Sequence, residues 1–115
     1  MIQLKRSYDP PSKADGRRFL ADRLWPRGLK KYKLRLDAWL KDASPSTELC
    51  RWFSHDPGKW EEFRRQFFAE LDSRGAVCQP IRDATRHGKV TLVYSARDTE
   101  HNNAVALRDY LEGKI

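Results

Sequence analysis

The chain has 115 residues, 39% hydrophobic and 11% aromatic, enough to close one core and too much for a disordered tail. No apolar run approaches the ~20 residues of a membrane span, and the alternating start MIQLKRSYDPP lacks the apolar segment and cleavage site of a secretion signal. The net charge of +7 is uneven: residues 1–35 hold eleven lysines and arginines against three acidic residues, while the remainder is close to neutral.

These features predict a single cytoplasmic domain spanning residues 1–115, without a membrane partner. Cys50 and Cys78 form no close pair of the kind metal or redox motifs use, and two reduced thiols are expected, with Cys50 filling a small apolar space. The basic first third either attracts phosphates, nucleic acid or an acidic partner, or forms a solvated face that keeps the protein soluble.

In chain order, Ile2 to Ser7 alternates as a short strand, which Asp9-Pro10-Pro11-Ser12 breaks before a turn at Asp15-Gly16. Arg17 to Arg23 predicts a second strand. Trp25-Pro26-Arg27-Gly28 must leave regular structure, and a basic linker follows from Lys30 to Arg35. Leu36 to Asp42 is a short helix candidate. Ser44-Pro45 offers an N-cap and a first-turn proline for another helix, with Leu49, Trp52 and Phe53 as its apolar face.

The clearest helix starts at Asp56-Pro57. Glu61 and Glu62 suit its positive end, Trp60, Phe63, Phe67 and Leu71 recur at helical spacing, and Gly75 is its stop. Val77 to Arg86 predicts a further helix ending at His87-Gly88. Val90 to Tyr94 is the strongest buried-strand signal, and His101 to Leu111 predicts a closing helix with Ala104, Leu107 and Leu111 inward. Strands separated by helices predict a small α/β domain of two or three layers. Its mainly parallel sheet would have about three to four strands, with about five helices around it.

In such sheets ligands bind beyond the carboxyl ends of the strands. Two segments lie there. The first, Asp22-Arg23-Leu24-Trp25-Pro26-Arg27-Gly28, brings a carboxylate, two guanidinium groups and an indole together. Arginine grips phosphate or carboxylate with paired hydrogen bonds and tryptophan offers a stacking face, although Asp22 could pair with a neighbouring arginine while Trp25 caps the core. The second runs from Tyr94 through Ser95, Arg97, Asp98, Thr99 and His101 to Asn102 and Asn103, at the start of the last helix. Free amides at such a start favour anions; a structural reading makes Asp98 or Thr99 the N-cap and leaves His101 unexplained.

His55, beside the expected cap Asp56, is a further proton-transfer candidate. His55, His101 and Asp98 are the weak catalytic candidates. They also form a set of metal-ligand types, but no short paired motif joins them, so neither metal nor cofactor is expected. Ser95, Asp98 and His101 suggest a hydrolase on paper, but the GxSxG turn that exposes a serine nucleophile is missing.

The segments LKRSYDPP, DRLWPRG, LDAWLKDASPSTELCRWFSHDPGKWEEF and TLVYSARDTEHNNAVAL, in that order, resemble the YeaO-like family of short bacterial proteins, a domain of unknown function. The resemblance implies a cytoplasmic bacterial protein of this length and no established reaction. Longer relatives place a Cys-His-Arg sequence near the start of their last helix, where this chain has His101-Asn102-Asn103. Chemistry relying on that cysteine is therefore closed to it.

Three functions are consistent with the residues. The first is a binding module for an anionic ligand (phosphate-bearing small molecule, nucleotide or nucleic acid). The second is a small enzyme using His55 or His101 as acid/base, with Arg23, Arg27 and Arg97 stabilising negative charge. The third is a protein-partner module that uses exposed aromatics.

Overall fold

A computed structural model describes residues 2–113. Its strands β1 (Ile2–Arg6), β2 (Arg17–Leu20), β3 (Ala38–Trp39) and β4 (Val90–Tyr94) form one parallel sheet in the order β1-β4-β2-β3. All five residues of β4 are buried, as an uninterrupted VTLVY run demands of a strand covered on both faces. Val90, Leu92 and Tyr94 belong to the larger core, whereas Val93 joins Leu20 on the opposite face.

The helices are α1 (Lys31–Leu34), α2 (Thr47–Phe53), α3 (Trp60–Ser73), α4 (Gln79–Thr85) and α5 (Asn103–Leu111). Helices α2 to α5 supply the larger core, where Phe63, Phe67 and Leu71 of α3 form the expected stripe. The other face carries a smaller cluster of Leu20, Leu34 and Val93, flanked by Trp25, Leu29, Leu36 and Trp39. The layered α/β fold with a parallel sheet is as expected, and the cover on the second face is mostly the 25–36 segment, irregular apart from α1.

Several boundaries differ from the sequence expectation. Leu36 to Asp42 is not a helix: Asp37 N donates to Arg18 O (2.8 Å) and Leu40 N to Leu20 O (3.1 Å), so the segment becomes strand β3 beside β2. Only Lys41–Ala43 forms a 3₁₀ turn. The expected linker at Lys30 to Arg35 contains α1, whose Leu34 fills the smaller core. Strand β2 ends at Leu20, so Asp22 and Arg23 lie beyond it.

The cap of helix α2, Ser46, lies two residues after the expected Ser44. Ser46 accepts the Leu49 amide (3.1 Å), and the Glu70 carboxylate receives both the amide and the hydroxyl of Ser46. Ser44 is instead buried and donates to Lys41 O. Trp52 does not join the apolar face; it stays 40% exposed beneath the Lys59 ammonium. Asp56 accepts the Gly58 amide, as its expected capping role requires, but it heads a 3₁₀ turn that leads into α3.

Part of the basic excess is internal. Asp15 pairs with Lys5 (3.1 Å) and Arg18 (2.6 Å) on the second face, and Arg18 also donates twice to Leu34 O. Burial alone would raise the Asp15 pKa, but the Ser12 amide and the two cations hold it below its ordinary value.

Candidate functional site

The carboxyl ends of β1, β2 and β4 open into a cleft of about 950 Å³. Asp22 to Arg27 line it beyond β2, Ser95 and Ala96 beyond β4, and Tyr8 beyond β1. Helix α2 contributes Thr47, Cys50 and Arg51; Ser54 and His55 follow it; His101, Asn102 and Asn103 lead into α5. Most residues of the two sequence segments therefore meet, and both histidines face one cleft. Gly28, Tyr94, Arg97 and Asp98 are not in its lining. Gly28 forms a turn at φ +79°, Tyr94 is buried in the larger core, and Arg97 is exposed.

Asp22 forms the floor. Its carboxylate accepts the Ser95 amide (2.9 Å) and the Asn103 side-chain amide (3.3 Å), tying the exits of β2 and β4 to the first turn of α5. Burial raises its pKa above the ordinary value, against the opposing pull of the Ser95 and Asn103 donors. Arg6 fixes the same exit from outside by donating to Ser95 O and Ala96 O.

Arg23 donates through Nε to Pro45 O (2.9 Å), which fixes its stem and leaves its terminal nitrogens without a partner among the described residues. Arg27 and Arg51 are exposed and likewise uncommitted. Trp25 is more structural than its sequence context suggested. Its indole donates to Leu29 O (2.7 Å) and meets Trp39 edge-on at 5.5 Å, leaving part of the ring on the cleft.

His101 is held through Nδ1 by the Asp98 carboxylate at 2.9 Å and packs edge-on against Trp60. Asp98 also accepts the amides of Glu100 and His101. The Glu100 amide and then the His101 ring hold its carboxyl below the ordinary pKa. Neither Asp98 nor Thr99 caps α5, as the sequence reading had it. Asn102 does so by accepting the Val105 amide, because the Asp98 turn occupies the residues before it. Ser95 Oγ pairs with Ser7 Oγ (2.9 Å) and makes no bond to His101 among the described residues.

Ser54 and His55 both adopt left-handed backbone conformations, φ +47° and +56°. Each costs of order 1–3 kcal/mol in a residue with a side chain, and such strain clusters at functional sites. Sequence reasoning missed the wall made by α2. Thr47, Cys50, Arg51 and Ser54 follow the i, i+3, i+4, i+7 spacing of one helix face, and that small and polar stripe was the available signal. Cys50 is half-buried at this wall rather than sealed in the core. Burial pushes its thiol pKa up, so it is no ready nucleophile.

Among the described residues, no cluster of three His, Cys, Asp or Glu side chains could hold a metal, and no helix is long and apolar enough to cross a membrane. No solved structure matches the chain. It is similar to the uncharacterised protein YeaO of Escherichia coli K12, with 44% identity over 110 residues and 96% of each chain covered. It is also similar to the uncharacterised proteins Mb3100c of Mycobacterium bovis and Rv3073c of Mycobacterium tuberculosis H37Rv. Each shares 34% identity over 113 residues, 98% of this chain and 95% of theirs. The family model described as the inactive DUF488-N3 subclade matches residues 1–115. The chain thus belongs to the inactive DUF488-N3 subclade, the YeaO-like family that its motifs resemble.

Proposed function

We propose that the cleft binds a small phosphate-bearing anion of nucleotide size, and that the protein holds this ligand without transforming it. The observation that carries the reading is a single cleft lined by three guanidinium groups, Arg23, Arg27 and Arg51, against one carboxylate, Asp22. Helix α5 starts at the same wall, and its Asn102 cap takes only the Val105 amide, so the positive end of the helix adds to the field. A volume of about 950 Å³ suits a drug-sized or nucleotide-sized ligand. Trp25 and Phe53 offer an apolar wall for its uncharged part. Binding without turnover agrees with a family described as inactive, and a cytoplasmic setting agrees with two unbridged thiols.

The test is calorimetric titration with inorganic phosphate, AMP and ATP at low salt, on the wild type and on Arg23→Ala and Arg51→Ala. A mononucleotide should bind, and each variant should weaken it about tenfold or more, the loss of a charge-assisted hydrogen bond. No heat with any of the three ligands, or equal affinity in both variants, sinks the reading.

The His101–Asp98 pair favours a second reading as an enzyme. A carboxylate on Nδ1 fixes the imidazole tautomer and leaves Nε2 available as a general acid or base. Turnover of p-nitrophenyl phosphate that His101→Gln abolishes would support it. A wild type that turns over nothing retires it.

A further inference from the structure

A second groove of about 1050 Å³ lies outside the cleft, between α1 and the edge strand β3. Its walls are mainly aromatic and basic: Tyr32, Trp39 and part of Trp25, with Lys31 and Arg35, and one carboxylate, Asp37. Tyr32 is 67% exposed, so most of its surface is open to a partner. Charge is concentrated here. From Lys30 to Lys41 there are five lysines and arginines against one carboxylate, Asp37, which already accepts the Arg18 amide (2.7 Å). The five cations are exposed and make no ion pair among the described residues. Two of them sit over rings instead, Lys33 at 5.8 Å from Tyr32 and Lys41 at 4.3 Å from Trp39.

We propose that this groove is a binding site for single-stranded nucleic acid, distinct from the anion cleft, with which it shares Trp25. Aromatic rings and cations side by side match a strand of unpaired bases, which would displace the ammonium groups from the ring faces and stack there while their phosphates meet those groups. A duplex fits poorly. Its bases are already stacked, and α1 has only four residues, too short to enter a major groove as a recognition helix. An anionic bilayer fits less well, because the patch has no amphipathic helix to lie in the interface.

The experiment is a tryptophan-fluorescence titration of the full chain with a 12-nucleotide oligo(dT), the same length of duplex, and phosphatidylserine vesicles. Oligo(dT) should bind at low salt more tightly than the other two, with affinity falling as salt rises. Tyr32→Ala should weaken binding by about tenfold through lost stacking, while Tyr32→Phe retains it. Lys31→Glu with Lys33→Glu should flatten the salt dependence. Arg23→Ala with Arg51→Ala should leave oligo(dT) affinity unchanged, so failure here and failure of the cleft remain distinguishable. Thermal melts establish that the variants fold. The proposal is overturned if oligo(dT) fails to bind at low salt, if duplex or vesicles bind as well or better, or if Tyr32→Ala binds like the wild type.

Discussion

Gly16 has no freedom to change. Its backbone lies at φ +64°, and an added Cβ would stand 2.1 Å from the Lys89 carbonyl oxygen, the atom that also accepts the Arg17 amide. Either that hydrogen bond or the start of β2 must shift. Gly16→Ala should therefore cost roughly 2–4 kcal/mol, read as a lower urea midpoint with an unchanged slope. Asp22 makes the opposite prediction. Burial raises its folded pKa above the ordinary 3.8, so the folded state disfavours the ionised form. Its stabilising contribution is complete below the ordinary value and is lost as pH rises through the raised one. Asp22→Asn keeps an oxygen for the Ser95 amide and removes the buried charge. It should melt above the wild type at pH 7 and level with it near pH 3. A variant that melts lower at pH 7 would show that the donors around Asp22 outweigh its desolvation. A stability gain at a cleft residue is the signature of a group kept for function.

Elements were legible where pattern and position agreed. The VTLVY run of β4 and the aromatic stripe of α3 declare themselves, because burial on both faces and helical spacing leave few alternatives. The 36–42 segment did not, since its strand character comes from pairing with Arg18 and Leu20, nineteen or twenty residues away in sequence. The start of α2 has a similar origin: Ser46, its cap, is bound through both amide and hydroxyl to Glu70 on α3, a tertiary contact. The cleft shows the same division. Asp22, Arg23, Arg27 and the 95–103 segment could be found from strand ends, but Arg51 arrives on a helix whose orientation is fixed by tertiary contact. Ser46→Ala should lower stability by about 1–2 kcal/mol, through the lost cap and the lost hydroxyl bond to Glu70. Because α2 carries Arg51, the same variant should also weaken ligand affinity, read in a paired melt and titration.

At the scale of the molecule, the parallel sheet sends three strand ends toward one opening, and their loops are bound to one another. Asp22 joins the exits of β2 and β4, Arg6 braces the exit of β4, and Tyr8 beyond β1 donates to Arg27 O. The charge asymmetry acquires a meaning that composition alone did not give it. Lys5 and Arg18 are consumed inside, Arg23 and Arg27 face the cleft, and Lys31 and Arg35 line a separate groove. The two proposed functions divide accordingly, a small anion site at the strand ends and a basic aromatic face at the sheet edge. The most direct test of the central claim is an amide chemical-shift titration with AMP at low salt. Shifts should cluster at Arg23, Arg51, His55, Ser95 and Asn103, around the cleft. An unchanged spectrum, or shifts confined to the 31–39 groove, would contradict the account.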